Sequence, residues 1–241
     1  MFAEQEFFIG VQDCGNGGLI KNRAFLENMS DTATVHGNLV GETIEALAQK
    51  QLAWVITHWK LQVLSRVKYT DTITVRTWSR KYNPAFADRD YSVFDAQGKM
   101  IAKATSVWMI LNTRRNFPQR IGPELMDVYR SEPDEVSFPG FAFENVTQLK
   151  PDFVSTVPFT VPRSMIDYNR HVHNSAYLDI ALEALPEELD DTSFDNVEIT
   201  YKRELKPGQR LSLRYGLIGD KRYVFIFSED LSVLHTVIKL Y

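Results

Sequence analysis

The sequence predicts an α+β fold made of two similar halves, each with one long helix packed against an antiparallel sheet. Two observations support this prediction: an ordered repeat relates the two ends of the chain, and a segment rich in proline separates the repeats. Five of the ten prolines lie between residues 118 and 151, a stretch that has no regular periodicity: Pro118, Pro123, Pro133, Pro139 and Pro151. Such composition is typical of a linker. We therefore expect halves at residues 1–117 and 151–241, joined by a linker at 118–150.

The repeat begins with a strand and a helix in each half. An apolar strand-like segment ends in an aspartate in both cases, as FFIGVQD at 7–13 and as FTVPRSMID at 159–167. A similar helix string then follows, AFLE at 24–27 and AYLD at 176–179. Self-similarity in this order indicates a duplicated structural unit.

An extended segment follows each helix, and the two segments align without a gap. WKLQVLSRVKYTDTITV from Trp59 lies over VEITYKRELKPGQRLSL from Val197. Apolar and polar residues alternate in both, which predicts half-buried strands. The turn signals DAQGK at 95–99 and GDK at 219–221 then separate further strands. Each half therefore resembles a two-layer unit with a strand, a helix and about four antiparallel strands.

The helix of the second half carries one apolar stripe. Its members recur at spacings of three and four residues: Ala176, Tyr177, Ile180, Ala181 and Ala184. This spacing predicts a helix face that is buried against the sheet.

Composition places the chain among ordinary globular proteins. It has 241 residues, of which 44% are hydrophobic and 24% charged. The single cysteine, Cys14, cannot form an internal disulfide, which favours a reducing compartment. The first residues, MFAEQEFFIG, do not resemble a secretory signal, and no window approaches 18 uninterrupted apolar residues. We expect a cytoplasmic location and no membrane span.

The charge distribution argues against nucleic acid and leaves an acidic partner open. The net charge is −4, whereas nucleic-acid-binding proteins usually present a basic face. Local basic residues form either a solvated surface or a docking face for an acidic partner. They are Arg114, Arg115, Arg120, Arg163, Arg170, Lys202, Arg203, Lys206 and Arg210.

Proton-handling residues concentrate where the first strand of the second half leads into its helix. Asp167, Asn169 and His171 form the pattern D-x-N-x-H there. The matching corner of the first half, which starts at Asp13, is rich in glycine and has no histidine before His36. Because one copy builds the corner without these residues, Asn169 and His171 indicate chemistry. Helix capping or a polar loop is the structural alternative.

A second carboxylate strengthens the chemical interpretation. Glu204 lies in YKRELKPG, on the strand that we expect after the helix, and Arg66 occupies the aligned position in the first half. If Glu204 faces the corner, the site contains an imidazole, an amide and two carboxylates. Such a set can activate water against an ester-like carbonyl. The alternative is a solvent-facing residue at a sheet edge.

Other chemistries have weaker support in the sequence. The nucleophile-elbow pattern G-x-S-x-G is absent, and Cys14 lies in the other half. His171 and His173 are two residues apart and have no thiolate nearby, which argues against zinc. Neither a P-loop nor a G-x-G-x-x-G motif is present. We therefore expect no metal and no cofactor.

Over almost its whole length the chain resembles the acyl–acyl carrier protein thioesterases of plants and bacteria. The resemblance rests on the aspartate-ended first strand, on WVITHWKLQV with YTDTITVRTWSRK, on SVWMILNTRRNFPQRI, and on D-x-N-x-H-V-x-N-x-x-Y with Y-K-R-E in the next strand. It implies a tandem hot dog fold, in which each half wraps an antiparallel sheet around a long helix. It also implies hydrolysis of a fatty acyl thioester on acyl carrier protein, which ends fatty acid synthesis.

The resemblance also implies roles for the candidate site. Asp167 would orient the site by holding neighbouring amide groups, Asn169 and His171 would polarise the thioester carbonyl and position water, and Glu204 would be the general base. A competing assignment makes Asp167 the base or a transient nucleophile. Plant members often carry cysteine directly after the glutamate, but here Leu205 excludes a thiol mechanism at that place.

In this resemblance the second half supplies the chemistry and the first half holds the acyl chain. His173, where the family frequently has asparagine, is interpreted as structural. Four large residues of the first half either set the depth of the acyl pocket or pack in the core: Trp54, Trp59, Trp78 and Trp108. The expected partner is acyl carrier protein, and a homodimer is possible. Alternatives are an acyl-coenzyme A thioesterase of the same fold, a non-catalytic acyl-binding protein and, less favoured, a dehydratase.

Overall fold

The computed structural model describes residues 1–167 and 170–241. The strands of the first half are β1 (Phe2–Phe8), β2 (Leu52–Val63), β3 (Thr72–Tyr82), β4 (Ala87–Asp95), β5 (Met100–Asn112) and β6 (Phe117–Gln119). Those of the second half are β7 (Asp152–Thr160), β8 (Asn196–Tyr201), β9 (Arg210–Ile218), β10 (Lys221–Ser228) and β11 (Leu234–Leu240). The α-helices are α1 (Asn22–Leu39), α2 (Ile44–Gln49), α3 (Pro123–Met126) and α4 (Tyr177–Leu182). None of the helices in this described part is long and apolar enough to cross a membrane.

All these strands form one antiparallel sheet in which the two halves meet at β2 and β8. The order is β1-β3-β4-β5-β2-β8-β11-β10-β9-β7, and β6 adds to β5. Trp59 pairs with Ile199 and Leu61 pairs with Val197 across the junction. The sequence alignment places Trp59 over Val197 and Leu61 over Ile199. The junction therefore has the local two-fold symmetry of a duplicated unit, and its register agrees with the alignment.

One hydrophobic core runs beneath both halves of the sheet. Phe25, Leu26 and Met29 of α1 are fully buried and belong to the same cluster as the apolar stripe of the second half. All five residues of that predicted stripe are buried. Burial of each large side chain stabilises the fold by roughly 1.5–3 kcal/mol, so the helices are held mainly by this contact with the sheet.

The second helix is shorter than the sequence predicts. α1 has 18 residues, whereas α4 has 6 and is preceded by a 3₁₀ turn at Asn174–Ala176. Pro186 disfavours helical geometry at the residue before it, so the helix cannot continue. The helix ends instead in 3₁₀-type hydrogen bonds, in which the Ala184 amide donates to Ala181 O and the Leu185 amide donates to Leu182 O, both at 3.1 Å.

The segment at 118–150, the predicted linker, contains the end of β6 and α3 and then crosses the sheet. Phe138 and Phe141 lie against lysines of the sheet, with Lys60 Nζ 4.5 Å from the Phe141 ring and Lys103 Nζ 4.6 Å from the Phe138 ring. Cation–π contacts of this kind hold the segment on the sheet. The limits of the two halves stay a prediction.

Candidate active site

The corner after β7 is a tight loop closed by backbone hydrogen bonds. The Asp167 amide donates to His171 O at 2.9 Å, and the His173 amide donates to Met165 O at 3.2 Å. Arg170 has a positive φ of 65°, which reverses the chain within the loop. Asn169, a predicted site residue, lies outside the described residues.

The structure brings His171 and Glu204 together. The Val172 amide donates to Leu205 O at 3.1 Å, which fixes the segment between β8 and β9 beside the loop. Glu204 lies in this segment and not on a strand, because β8 ends at Tyr201. His171 Nε2 then lies 3.1 Å from Glu204 Oε2, and Lys206 Nζ lies 3.5 Å from Glu204 Oε1. The Glu204 side chain is 45% exposed, so water can reach this carboxylate.

Asp167 lies in the same loop and contacts it from within. Its Oδ1 accepts a hydrogen bond from the His171 amide at 3.3 Å. Asp167, His171 and Glu204 all line one cavity. The position of Asp167 suits a residue that holds the loop amides, and it also faces the space in which a substrate would lie.

A hydrogen-bonded chain from the first half reaches His173. The Ser175 hydroxyl donates to Glu27 Oε1 at 3.0 Å, and Glu27 is paired with Arg23 Nε at 2.9 Å. Since a hydroxyl has one proton, Ser175 Oγ must accept at its 2.9 Å contact with His173 Nδ1. A neutral His173 therefore carries its proton on Nδ1 and has an acceptor at Nε2.

The sequence did not predict this series of hydrogen bonds, and His173 was interpreted as structural. His173 lines the cavity together with Asp31 of α1. Burial raises the pKa of Asp31, although the nearby His173 partly offsets that effect. No local signal in the sequence pointed to this link, because Ser175 and Glu27 are 148 positions apart.

Arg66, which occupies the position of Glu204 in the first half, forms structural hydrogen bonds. Its guanidinium donates to Ile20 O at 2.8 Å, to Asn22 Oδ1 at 3.0 Å and to Phe194 O at 2.7 Å. The Asn22 amide in turn donates to Asp191 O at 2.6 Å and to Phe194 O at 2.9 Å. The Arg66 side chain is 8% exposed. In the first half this position therefore ties the two halves together.

A cavity of about 830 Å³ extends from the corner into the first half. That volume lies within the usual range for a small-molecule site. Trp54 and Trp108 line it, whereas Trp59 is fully buried in the core and Trp78 donates its indole N–H to Glu135 O at 2.9 Å. Two of the four tryptophans are thus in position to shape a bound chain.

The wall between the corner and the core is closed by Tyr177. Its hydroxyl accepts a hydrogen bond from the Leu205 amide at 3.1 Å, and burial raises the pKa of this phenol. The Leu205 side chain is completely buried. The position after Glu204 is therefore part of the core.

Two family models match the chain along most of its length. The model for the acyl–acyl carrier protein thioesterase N-terminal domain covers residues 2–129, and the model for the C-terminal domain covers residues 150–231. The chain belongs to the acyl–acyl carrier protein thioesterase family. The predicted resemblance is confirmed, and the family's N-terminal model falls on the half that contains most of the cavity lining.

Curated relatives of this thioesterase family member come from plants. The oleoyl-acyl carrier protein thioesterase 2 of Arabidopsis thaliana is 27% identical over 220 residues, which are 83% of this chain and 59% of the relative. The palmitoyl-acyl carrier protein thioesterase of Gossypium hirsutum is 26% identical over 216 residues, which are 83% of this chain and 51% of the relative. The chain thus spans somewhat more than half the length of these relatives.

Solved structures of the family share the whole architecture. An acyl-ACP thioesterase from Bacteroides thetaiotaomicron superposes with a TM-score of 0.85 at 22% identity, covering 99% of this chain and 96% of that one. The 12:0-ACP thioesterase from Umbellularia californica superposes with a TM-score of 0.77 at 19% identity over 99% of this chain and 96% of that one. The predicted α+β tandem hot dog fold is confirmed by this likeness.

Proposed function

We propose that this chain hydrolyses the thioester of a fatty acyl chain carried by acyl carrier protein, releasing a free fatty acid and ending synthesis of that chain. The observation that carries the proposal is the contact between His171 and Glu204 on a cavity of about 830 Å³ that continues into the other half. Such a cavity can hold an alkyl chain while its thioester lies beside the pair. Membership of the thioesterase family supports the same reaction.

In the proposed mechanism Glu204 is the general base. His171 Nε2 donates to one carboxylate oxygen and so holds the carboxylate in place. The carboxylate takes a proton from water as the water oxygen attacks the thioester carbonyl. Asn169 would donate to the oxyanion that forms. The tetrahedral intermediate then expels the thiolate, which receives the proton, and the products are a fatty acid and a thiol. No metal or cofactor takes part.

Asp167 is the competing base, because it also lines the cavity. Its contact with the His171 amide favours a positioning role. Comparison of Asp167→Asn with Glu204→Gln separates the two assignments. The variant that lacks the base should lose the ionisation on the acidic limb of the kcat/KM profile, while the other keeps that limb at a lower rate.

An acidic carrier is favoured by the charges near the cavity. Lys202 and Arg203 line the cavity, exposed Lys206 lies 3.5 Å from Glu204 Oε1, and exposed Arg170 directly precedes His171 in the chain. Positive charge of this kind steers an acidic protein toward the site. Coenzyme A is also anionic, so the carrier has to be tested directly.

The first test is fatty acid release from carrier-protein thioesters of increasing chain length, with the same chains on coenzyme A for comparison. We expect wild type to release fatty acid faster from the carrier protein, and Glu204→Gln to lose most of that release while circular dichroism stays unchanged. Faster release from coenzyme A would reassign the carrier. A folded wild type that releases no acid from any thioester would refute the proposal and favour an acyl-binding protein.

A further inference from the structure

The part of the cavity inside the first half contains a buried arginine. Arg89 of β4 lines the cavity and is 8% exposed. Its Nη1 lies 3.0 Å from His36 Nδ1 and 3.3 Å from Thr77 Oγ1, and its guanidinium lies 5.4 Å from the centre of the Tyr129 ring. Among residues 1–167 and 170–241, no carboxylate lies within ion-pair distance of Arg89.

The neighbours of Arg89 do not neutralise its charge. Burial and the positive charge of Arg89 lower the pKa of His36 to about 3, so the imidazole is neutral and accepts the Arg89 hydrogen bond at Nδ1. Thr77 and Tyr129 are neutral as well. A buried cation with only neutral partners is costly unless another electron-rich group approaches it.

A second polar pair lines the same part of the cavity. Glu42 is 7% exposed, and burial raises the pKa of its carboxyl, an effect that nearby Trp54 and Tyr129 partly offset. In the described part of the chain neither Glu42 Oε2 nor Trp54 Nε1 has a hydrogen-bond partner of normal geometry. Buried polar atoms nearly always have such a partner in native proteins. Trp54 and Tyr129 are nonetheless the groups that interact with the Glu42 carboxyl. Glu42 and Trp54 therefore form one contact of poor geometry, which leaves hydrogen-bonding capacity in the same part of the cavity as the unneutralised Arg89.

A purely hydrocarbon chain would leave this capacity unused. We propose that Glu42, Trp54, Arg89 and Tyr129 form a polar subsite that binds an oxygen atom carried by the acyl chain away from its thioester. The substrate class is thus an oxygenated acyl chain, with a hydroxyl, keto or carboxylate oxygen. This inference rests on the proposed hydrolase function. Arg89 and Trp54 donate to that oxygen, and the Glu42 carboxyl accepts when the group is a hydroxyl.

The discrimination follows from the unpaired groups. A site built to hydrogen-bond a substrate rejects the analogue that lacks the polar atom, because the buried groups then stay unpaired. We expect kcat/KM for the best oxygenated chain to exceed that for the plain chain of equal length by at least about tenfold.

The experiment measures kcat/KM for carrier-protein thioesters of one length: the plain chain, the ω-carboxy chain, and monohydroxy chains in which the hydroxyl moves stepwise toward the chain end. Preference for ω-carboxy identifies a carboxylate ligand, and preference for one hydroxyl position identifies a hydroxyl ligand. In Arg89→Met the ratio of oxygenated to plain kcat/KM should fall toward one. The matched control is Arg76→Met on β3, an exposed residue outside the cavity, in which the ratio should not change.

Trp54→Phe gives a second measurement in case Arg89→Met does not fold. It removes the indole N–H but keeps an aromatic ring, and the ratio should again fall. Equal or faster hydrolysis of the plain chain, with a ratio unaltered in both variants, would overturn the subsite and leave the hydrolase function standing. If no thioester is cleaved, calorimetric binding of the free hydroxy, dicarboxylic and plain acids decides the subsite alone: tighter binding of an oxygenated acid supports it, and equal binding overturns it.

Discussion

The two halves use the same position of a duplicated unit in opposite ways. Arg66 in the first half has a side chain that is 8% exposed, and it binds four oxygen atoms that belong to both halves. Glu204 in the second half is half exposed and contacts His171. The backbone of the unit fixes where such a side chain lies, and the residue decides whether the place serves cohesion or chemistry. Duplication thus allows one copy to keep the assembly together while the other carries the His171–Glu204 pair, for which we propose a role in catalysis.

The halves also depend on each other. α1 is long, whereas α4 is short. Glu27 of α1 accepts a hydrogen bond from Ser175, and the Ser175 hydroxyl also contacts His173. Most of the cavity lining comes from the first half, and the His171–Glu204 pair comes from the second. We infer that neither half would form the complete site alone. The predictions below test this division, beginning with the largest expected effect.

Loss of the reactive pair should remove most activity. We expect Glu204→Gln and His171→Ala each to lower kcat/KM on the order of 10²–10⁴-fold, because general acid–base groups contribute about that much. The kcat/KM of the double variant should be only slightly lower than that of the less active single variant, since the two side chains act as a unit. Fatty acid release measures the rates, and Glu229→Gln, an exposed carboxylate of the same half, is the control. Multiplying losses would show that the two residues act independently.

Replacement of Arg66 should instead reduce stability. Arg66→Met leaves Ile20 O and Asn22 Oδ1 without their donor, whereas Phe194 O keeps the Asn22 side-chain amide, and each buried acceptor left unpaired costs about 1–3 kcal/mol. Urea unfolding measures the loss, and Arg76→Met, on an exposed pair with Glu4, should change stability by less than about 1 kcal/mol. Below the unfolding transition, turnover of Arg66→Met should stay close to that of wild type. A large fall in kcat with unchanged stability would contradict the division between the halves.

Much of the fold was predictable because it depends on local patterns. The register of β2 on β8 follows from the alignment of Trp59 with Val197, and the buried stripe of the second helix follows from its spacing. Glu204 lies beside His171, as the interpretation of these two residues as parts of one site required. The link between Ser175 and Glu27 was not predictable, because those residues are 148 positions apart and no local rule brings them together. The place of Arg89 in the cavity lining was not predictable either, because the sequence of β4 does not show which residues face the cavity.

The contact between the halves should also respond to pH. Burial raises the pKa of Asp191 to about 6, well above the ordinary value of a carboxyl. The folded state therefore prefers the protonated form: this contribution to stability is complete below about pH 4 and is lost as the pH rises through about 6. The loss is about 3 kcal/mol at most. Urea unfolding at several pH values should show that Asp191→Asn lacks this decline, and identical profiles for the two proteins would contradict the assignment.

The smallest effect should come from surface charge beside the cavity. Arg114 and Arg115 are exposed in the turn after β5, next to Thr113, which lines the cavity. Their replacement by glutamine should raise KM for a carrier-protein thioester by about threefold to tenfold, leave kcat unchanged and weaken the salt dependence of kcat/KM. Lys99→Gln, at the opposite end of β5, is the matched control. A KM that does not change at low salt would place the carrier elsewhere, and would leave the positive charges around Glu204 as the remaining docking surface.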